Sequence, residues 1–107
     1  MQKKNKTIAV QGFGYVGAVN AVNIAISEHF KNYKLLFFEK ENPRTIKLFN
    51  LAKKGIFPHQ SDDEYLTNNF KKLVKNGTLE FTFDKKKFKL ANIILITINY
   101  DLKKINK

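Results

Sequence analysis

Residues 12–17 read GFGYVG, with glycine at the first, third and sixth positions. The stretch follows the short apolar run TIAVQ (7–11), which predicts a strand. Apolar residues then recur at helical spacing, at Val16, Val19, Val22, Ile26 and Phe30. We therefore predict a strand, a glycine turn and then a helix from Tyr15 to about Phe30.

Three more segments predict strands: Lys34–Glu39, Thr78–Phe83 and Asn92–Ile98. The first and last of these are apolar throughout, which is typical of strands covered on both faces. The middle segment, Thr78–Phe83, alternates, and its Phe81 and Phe83 should face the core from one side of the sheet.

The segments between these strands carry signals for the beginning and end of helices. Asn42 is a plausible N-cap, Pro43 suits the first helical position and Gly55 should end that helix. Ser61 and Glu64 have capping-box spacing, and Gly77 is a C-terminal stop. The buried face of this second helix should comprise Leu66, Phe70, Leu73 and Val74. A single helical turn capped by Asp84 should run through Leu90.

Alternating strands and helices indicate an α/β fold with right-handed crossovers. We expect a partial doubly wound (Rossmann) domain, with four parallel strands in the order 3-2-1-4 and flanking helices. The 107 residues suffice for one small domain with a core, so residues 1–107 are assigned to a single domain.

Composition narrows the function classes. No apolar run approaches the roughly 18 residues of a membrane span, so we expect a cytoplasmic protein with no membrane partner. The absence of cysteine excludes disulfides and a cysteine nucleophile in this sequence. The net charge of +11 suggests nucleic acid, but Arg44 is the single arginine among 20 basic residues. Phosphate and base recognition relies on arginine forks, so a solvated lysine surface is favoured and no nucleic-acid partner is expected.

The glycine stretch is a candidate dinucleotide-binding loop. Gly12 would make the tight turn, Gly14 would let a pyrophosphate approach the backbone, and Gly17 would let the helix pack closely on the sheet. The candidate site also includes Phe13 and the amides of Tyr15 and Val16, which sit where a helix N-terminus favours an anion.

An acidic residue completes the pattern. Glu39 ends the second predicted strand. It follows Gly17, the last glycine of the stretch, at close to the expected spacing of about 20 residues. Its carboxylate would accept hydrogen bonds from the adenosine ribose and repel a 2′-phosphate, which favours NAD over NADP as the cofactor. The alternative is that the glycines only serve the turn and that Glu39 is a solvated strand end.

At these residues the chain resembles the N-terminal domain of the UDP-glucose/GDP-mannose dehydrogenase family. GFGYVG is similar to that family's G-x-G-Y-V-G, and the likeness continues through roughly residues 7–101. The segments that carry it, in order, are LLFFE, IKLFN, GIFP, NGTLEFTFD and LANIILITI.

The resemblance implies an NAD-dependent oxidation of a nucleotide-sugar C6 alcohol to a carboxylate. It places Arg44 near a basic residue that helps hold the adenosine ribose. The family's Pro-Thr or Thr-Pro pair after the fourth strand is replaced here by Ile98 and Asn99, so only backbone contacts to the cofactor are expected from these two. The family's cysteine and its helpers lie further along the chain. We therefore expect a truncated, catalytically inactive part, with no catalytic residue and with the sugar substrate bound only by the full-length parent.

Other polar residues carry weaker signals. His29 and His59 are isolated in sequence and are interpreted as surface or packing residues. Asp62, Asp63 and Glu64 suit the first turn of a helix, so no metal site is expected.

Two alternatives to a dehydrogenase part stay open. One is a nucleotide-binding or regulatory module without catalysis, and the other, less favoured, is a basic nucleic-acid-binding protein. We also expect a homo-oligomer, because the apolar fourth strand should form an unprotected sheet edge.

Overall fold

The computed structural model describes residues 6–97. Its strands are β1 (Lys6–Gln11), β2 (Tyr33–Phe38), β3 (Leu79–Thr82) and β4 (Ile93–Ile96). Its helices are α1 (Tyr15–Ala25), α2 (Pro43–Lys53), α3 (Glu64–Lys75) and α4 (Lys85–Lys89), with a 3-10 turn at Glu28–Phe30 between α1 and β2.

The four strands form one parallel sheet in the order β3-β2-β1-β4. This confirms the predicted α/β fold and strand order. Because the strands are parallel, the carboxyl ends of β1, β2 and β4 lie at the same edge of the sheet, beside the turn that follows β1.

The main core lies between one face of the sheet and helices α1–α3. Alternate strand residues point into it, among them Val10, Leu35 and Phe37, all fully buried. Phe81 stacks on Phe37 with ring centroids 5.4 Å apart, and Phe83 stacks on Phe49 at 4.8 Å. The prediction that both β3-region phenylalanines face the core is therefore confirmed.

The opposite face of the sheet is covered less completely. Phe88 of the short helix α4 packs against Phe38 of β2, with ring centroids 5.0 Å apart. At the β4 edge, however, Ile94 and Ile96 are about half exposed. β4 is thus at one end of the sheet, as predicted, and self-association through it stays a prediction for sedimentation to check.

Helix α1 is shorter than predicted, and its most buried residues include small ones outside the apolar stripe. It ends at Ala25 rather than near Phe30, because the backbone of Ser27 is extended and begins the separate 3-10 turn. Its buried residues are small ones, Gly17, Ala18, Ala21 and Val22, while Val16 and Ile26 are exposed. Small side chains allow the helix axis to approach the sheet, so the buried face is not the one with the largest residues.

The other helices follow their sequence signals with one exception. Asn42 caps α2, and Gly55 and Gly77 follow α2 and α3 with φ of +83° and +82°. The capping box assigned to Ser61 and Glu64 is wrong: Asp63 is the N-cap of α3 and accepts the Leu66 N–H at 3.1 Å. Ser61 instead accepts the N–H of Asp63. Asp63 lies two residues closer to the helix than Ser61, and its side-chain oxygen is an equally good acceptor for the first amides.

Candidate functional site

The glycine turn lies at the carboxyl end of β1, between β2 and β4. Gly12 has φ of +102°, a conformation that favours glycine, and its N–H donates to the Phe38 carbonyl at 3.0 Å. A Cβ placed on Gly12 would lie 2.8 Å from the Thr97 Oγ1 and 2.9 Å from the Thr97 carbonyl oxygen. The tight turn expected at Gly12 therefore also requires glycine because the chain after β4 passes so closely.

Gly17 brings helix α1 against the same point. It is buried, and a Cβ there would lie 2.8 Å from Thr97 Oγ1 and 3.0 Å from the Gly12 carbonyl oxygen. Thr97 Oγ1 itself donates to the Gln11 carbonyl at 2.9 Å. This geometry is the close helix–sheet packing that the third glycine predicts. The sequence did not single out Thr97, which joins β1, the turn and α1 from the end of β4.

The N-terminus of α1 begins within the turn and has no side-chain cap. Gly14 occupies the N-cap position with an extended backbone, and no acidic residue lies in the first turn. The first N–H groups of a helix have no acceptor within the helix. Tyr15 and Val16 are exposed, at 47% and 58%. The α1 N-terminus is therefore open, with donors and the positive end of the helix dipole directed outward.

Glu39 lies beside this turn, immediately after β2. Its Oε2 accepts the backbone N–H of Phe13 at 2.9 Å, and the residue is partly buried. The fold thus brings the predicted acidic residue to the glycine turn across 26 positions of sequence. One carboxylate oxygen supports the turn while the residue keeps access to solvent.

Phe13 contributes its backbone rather than its side chain to the candidate site. Its ring is fully buried, 4.6 Å from the Phe37 ring and 5.3 Å from the Phe81 ring between centroids. It also contacts Phe49 and Phe70. The residue between the first two glycines therefore anchors the turn in the hydrophobic core.

The other backbone group of Phe13 meets His59, in the connection between α2 and α3. The His59 Nε2 lies 2.9 Å from the Phe13 carbonyl oxygen. The His59 ring also contacts the rings of Tyr15 and Phe57, at centroid distances of 6.3 Å and 5.6 Å. The interpretation of His59 as a packing residue missed its position against the glycine turn, while His29 is exposed in the 3-10 turn.

Of the remaining predicted site residues, the structure describes Arg44. Arg44 lies exposed in the first turn of α2, and none of the interactions described for residues 6–97 involves its side chain. Ile98 and Asn99 lie outside the described residues.

Between residues 6 and 97, no cluster of three or more His, Asp or Glu side chains is placed to hold a metal ion. No helix in that range is long and apolar enough to cross a membrane.

Comparison with solved structures places the fold among nucleotide-sugar dehydrogenases. The chain is similar to the NDP-N-acetyl-D-galactosaminuronic acid dehydrogenase of Methanosarcina mazei Go1, with 28% identity and a TM-score of 0.77 over 88% of this chain and 19% of that one. It also has the fold of a UDP-D-ManNAc dehydrogenase from Pyrococcus horikoshii, with 21% identity and a TM-score of 0.66 over 86% of this chain and 20% of that one. No protein-family model and no curated protein sequence matches significantly.

These matches confirm the resemblance drawn from the glycine motif, since the chain fits the UDP-glucose dehydrogenase family in fold. The chain spans about a fifth of the length of the solved structures that it matches.

Proposed function

We propose that this chain binds the adenosine and pyrophosphate half of NAD, as part of a nucleotide-sugar dehydrogenase. The observation that carries the proposal is the hydrogen bond from the Phe13 N–H to Glu39, which places this carboxylate beside the open N-terminus of α1. An acidic residue at the end of β2 and uncapped amides at the end of β1 are the two groups that an adenosine ribose and a pyrophosphate require.

The residues present fit that ligand. Gly12 and Gly17 compress the turn against Thr97, and Gly14 adds no side chain in front of the α1 N-terminus. The N–H groups of Tyr15 and Val16 would hold the pyrophosphate, and Glu39 would accept the ribose hydroxyls. Arg44, Ile98 and Asn99 remain proposed contacts, the first near the ribose and the other two through their backbone.

Glu39 also favours NAD over NADP. A 2′-phosphate would place a second negative charge at the ribose position beside this carboxylate. Two unit charges at about 4 Å repel each other by about 1 kcal/mol in water and by about 4 kcal/mol near a protein surface, and the partly exposed Glu39 lies between these limits. The carboxylate would therefore exclude NADP by repulsion as well as bind the ribose of NAD.

The chain's own contribution is binding and orientation. Bound NAD would supply a hydride acceptor for alcohol oxidation. The 107 residues contain no cysteine, so no thiolate of this chain can form the covalent intermediate of the family's reaction. Oxidation of a sugar nucleotide is thus proposed for the complete dehydrogenase, and cofactor binding for the residues described.

Titration calorimetry with three ligands tests the proposal. NAD and ADP-ribose should bind with similar affinity, because both carry the adenosine ribose and the pyrophosphate. Nicotinamide mononucleotide lacks both groups and should bind at least about tenfold more weakly. A folded chain, verified by circular dichroism, that binds none of the three would refute the proposal. Equal binding of all three would show that a single phosphate suffices.

A further inference from the structure

We propose that His59 is a positioning residue for dinucleotide binding, because it fixes the orientation of the peptide between Phe13 and Gly14. The inference rests on the function proposed above and adds a residue from a different part of the chain. His59 lies in the α2–α3 connection, 46 positions from Phe13.

The hydrogen bond between His59 and Phe13 has a defined direction. A carbonyl oxygen only accepts, so a hydrogen bond at 2.9 Å requires that Nε2 of His59 carries the proton. The Phe13 N–H is held at the same time by Glu39 Oε2, also at 2.9 Å. Both backbone groups of Phe13 are therefore bound by side chains that belong to other elements of the fold.

The Phe13 carbonyl and the Gly14 N–H belong to the same peptide group. In a planar trans peptide the C=O and the following N–H point in opposite directions. Since His59 holds the Phe13 carbonyl, the N–H of Gly14 points away from His59. No acceptor for this N–H is present among residues 6–97. Loss of the His59 donor would allow the peptide to rotate and redirect a donor at the entrance to α1.

Contacts with neighbouring aromatic rings hold the His59 side chain in place. Tyr15, Phe57 and His59 form an aromatic clasp, in which each ring meets the other two at a steep angle. Phe57 also packs on Phe70 of α3, with ring centroids 5.3 Å apart. The clasp connects the first residue of α1 to the core and leaves the His59 side chain few alternative orientations.

Preorganisation gives this contact its functional effect. A loop already ordered in its binding conformation loses less conformational entropy when the ligand binds. Removing the donor should therefore weaken NAD binding even where the core remains intact.

Two substitutions at position 59 separate the donor from the ring. His59→Phe keeps an aromatic ring in the clasp and removes the hydrogen bond. His59→Gln removes the ring, but its side-chain amide reaches nearly as far as Nε2 and can donate to the Phe13 carbonyl. His29→Phe provides the matched control, since His29 is exposed and outside the candidate site.

Calorimetric titration with NAD, together with amide hydrogen exchange of the unliganded proteins, tests the inference. His59→Phe should weaken NAD affinity about tenfold and speed exchange at the Phe13 N–H, which Glu39 Oε2 accepts in the intact turn. His59→Gln and His29→Phe should stay within about threefold of the unsubstituted chain.

The outcomes distinguish the inference from the function on which it rests. If the unsubstituted chain binds NAD and His59→Phe binds it equally well, the inference is overturned and the proposed function stands. If His59→Gln loses as much affinity as His59→Phe, ring packing rather than the donor is responsible and the inference is also overturned. If the folded, unsubstituted chain does not bind NAD, both fail together.

Discussion

Helices α1 and α2 both begin after the carboxyl end of a parallel strand, but their N-termini are completed differently. In α2, the Asn42 side chain accepts the Thr45 N–H at 2.9 Å, and Thr45 Oγ1 accepts the Asn42 N–H at 3.0 Å. This reciprocal capping box satisfies the first amides of the helix with its own residues. In α1, Gly14 stands at the N-cap and offers no side-chain acceptor.

The difference shows which helix terminus serves stability and which is available to a ligand. The α2 terminus has fewer donors left for an anion, because Pro43 has no N–H and Asn42 binds the Thr45 N–H, whereas no side chain at the α1 N-cap binds its first amides. Support for the α1 turn comes from outside the helix, through Glu39, His59 and Thr97. The turn is therefore rigid without a side chain in front of the helix.

The largest effect is expected from a side chain at the open terminus. Gly14→Val should reduce NAD affinity at least about a hundredfold, because the side chain would occupy the position of the pyrophosphate. The fold should change little, since Gly14 has φ of −82° and ψ of −178°, which any residue adopts. Calorimetry gives the affinity and circular dichroism the fold. Unchanged NAD affinity would disprove the assignment of the pyrophosphate to this terminus.

Gly14→Asp would give the uncapped α1 terminus an aspartate cap like Asp63 of α3, and so tests whether its free amides bind the ligand. Its carboxylate should accept the free amides and stabilise the helix by a few tenths of a kcal/mol. The same carboxylate would compete with the pyrophosphate, so NAD binding should be lost while the Tm is kept or raised. A variant that binds NAD as well as the unsubstituted chain would show that the first amides of α1 are not used.

A smaller effect is expected from the acidic residue that supports the open terminus. Glu39→Gln keeps an oxygen acceptor for the Phe13 N–H but removes the negative charge. The preference for NAD over NADP should therefore fall by about tenfold, an effect of about 1.4 kcal/mol. Side-by-side titrations with both dinucleotides measure it, and Glu41→Gln, an exposed neighbour, is the matched control. Tighter binding of NADP than NAD by the unsubstituted chain would contradict the role given to Glu39.

The smallest effect on binding is expected at the capped terminus. Asn42→Ala should lower the free energy of unfolding by about 1 kcal/mol, because two reciprocal hydrogen bonds are reduced to one. For a domain of this size the Tm should fall by about 4–8 °C. NAD affinity should be unchanged. Asn50→Ala, at an exposed position of the same helix, should keep or slightly raise the Tm, because alanine has the higher helix propensity. A marked loss of NAD affinity in Asn42→Ala would mean that the two termini are coupled.

Short-range rules were enough to predict much of the fold and part of the site from sequence. The cap at Asn42, the stop at Gly55 and the turn at Gly12 each depend on the conformational preferences of one or two residues. Alternation of strands and helices was enough to predict the parallel sheet and its order. The position of Glu39 followed from the strand that it terminates, because neighbouring parallel strands end at the same edge.

Local signals were insufficient where two plausible local structures compete. Ser61 and Asp63 are both good N-caps, and only the observed start of α3 shows that Asp63 is used. The apolar stripe of α1 was only partly informative, because hydrophobic spacing alone does not show how closely a helix approaches the sheet. Close approach selects small residues such as Gly17 and Ala18 over the larger Val16.

The sequence by itself determined the elements, their order and the chemical character of the glycine turn, since these depend on neighbours along the chain. Only the tertiary structure decided that the Phe13 ring lies in the core, that Thr97 touches Gly12 and Gly17, and that His59 meets the Phe13 carbonyl. These contacts join residues dozens of positions apart, so no periodicity or capping pattern encodes them. They arise when the core closes and brings the α2–α3 connection and the end of β4 against the turn.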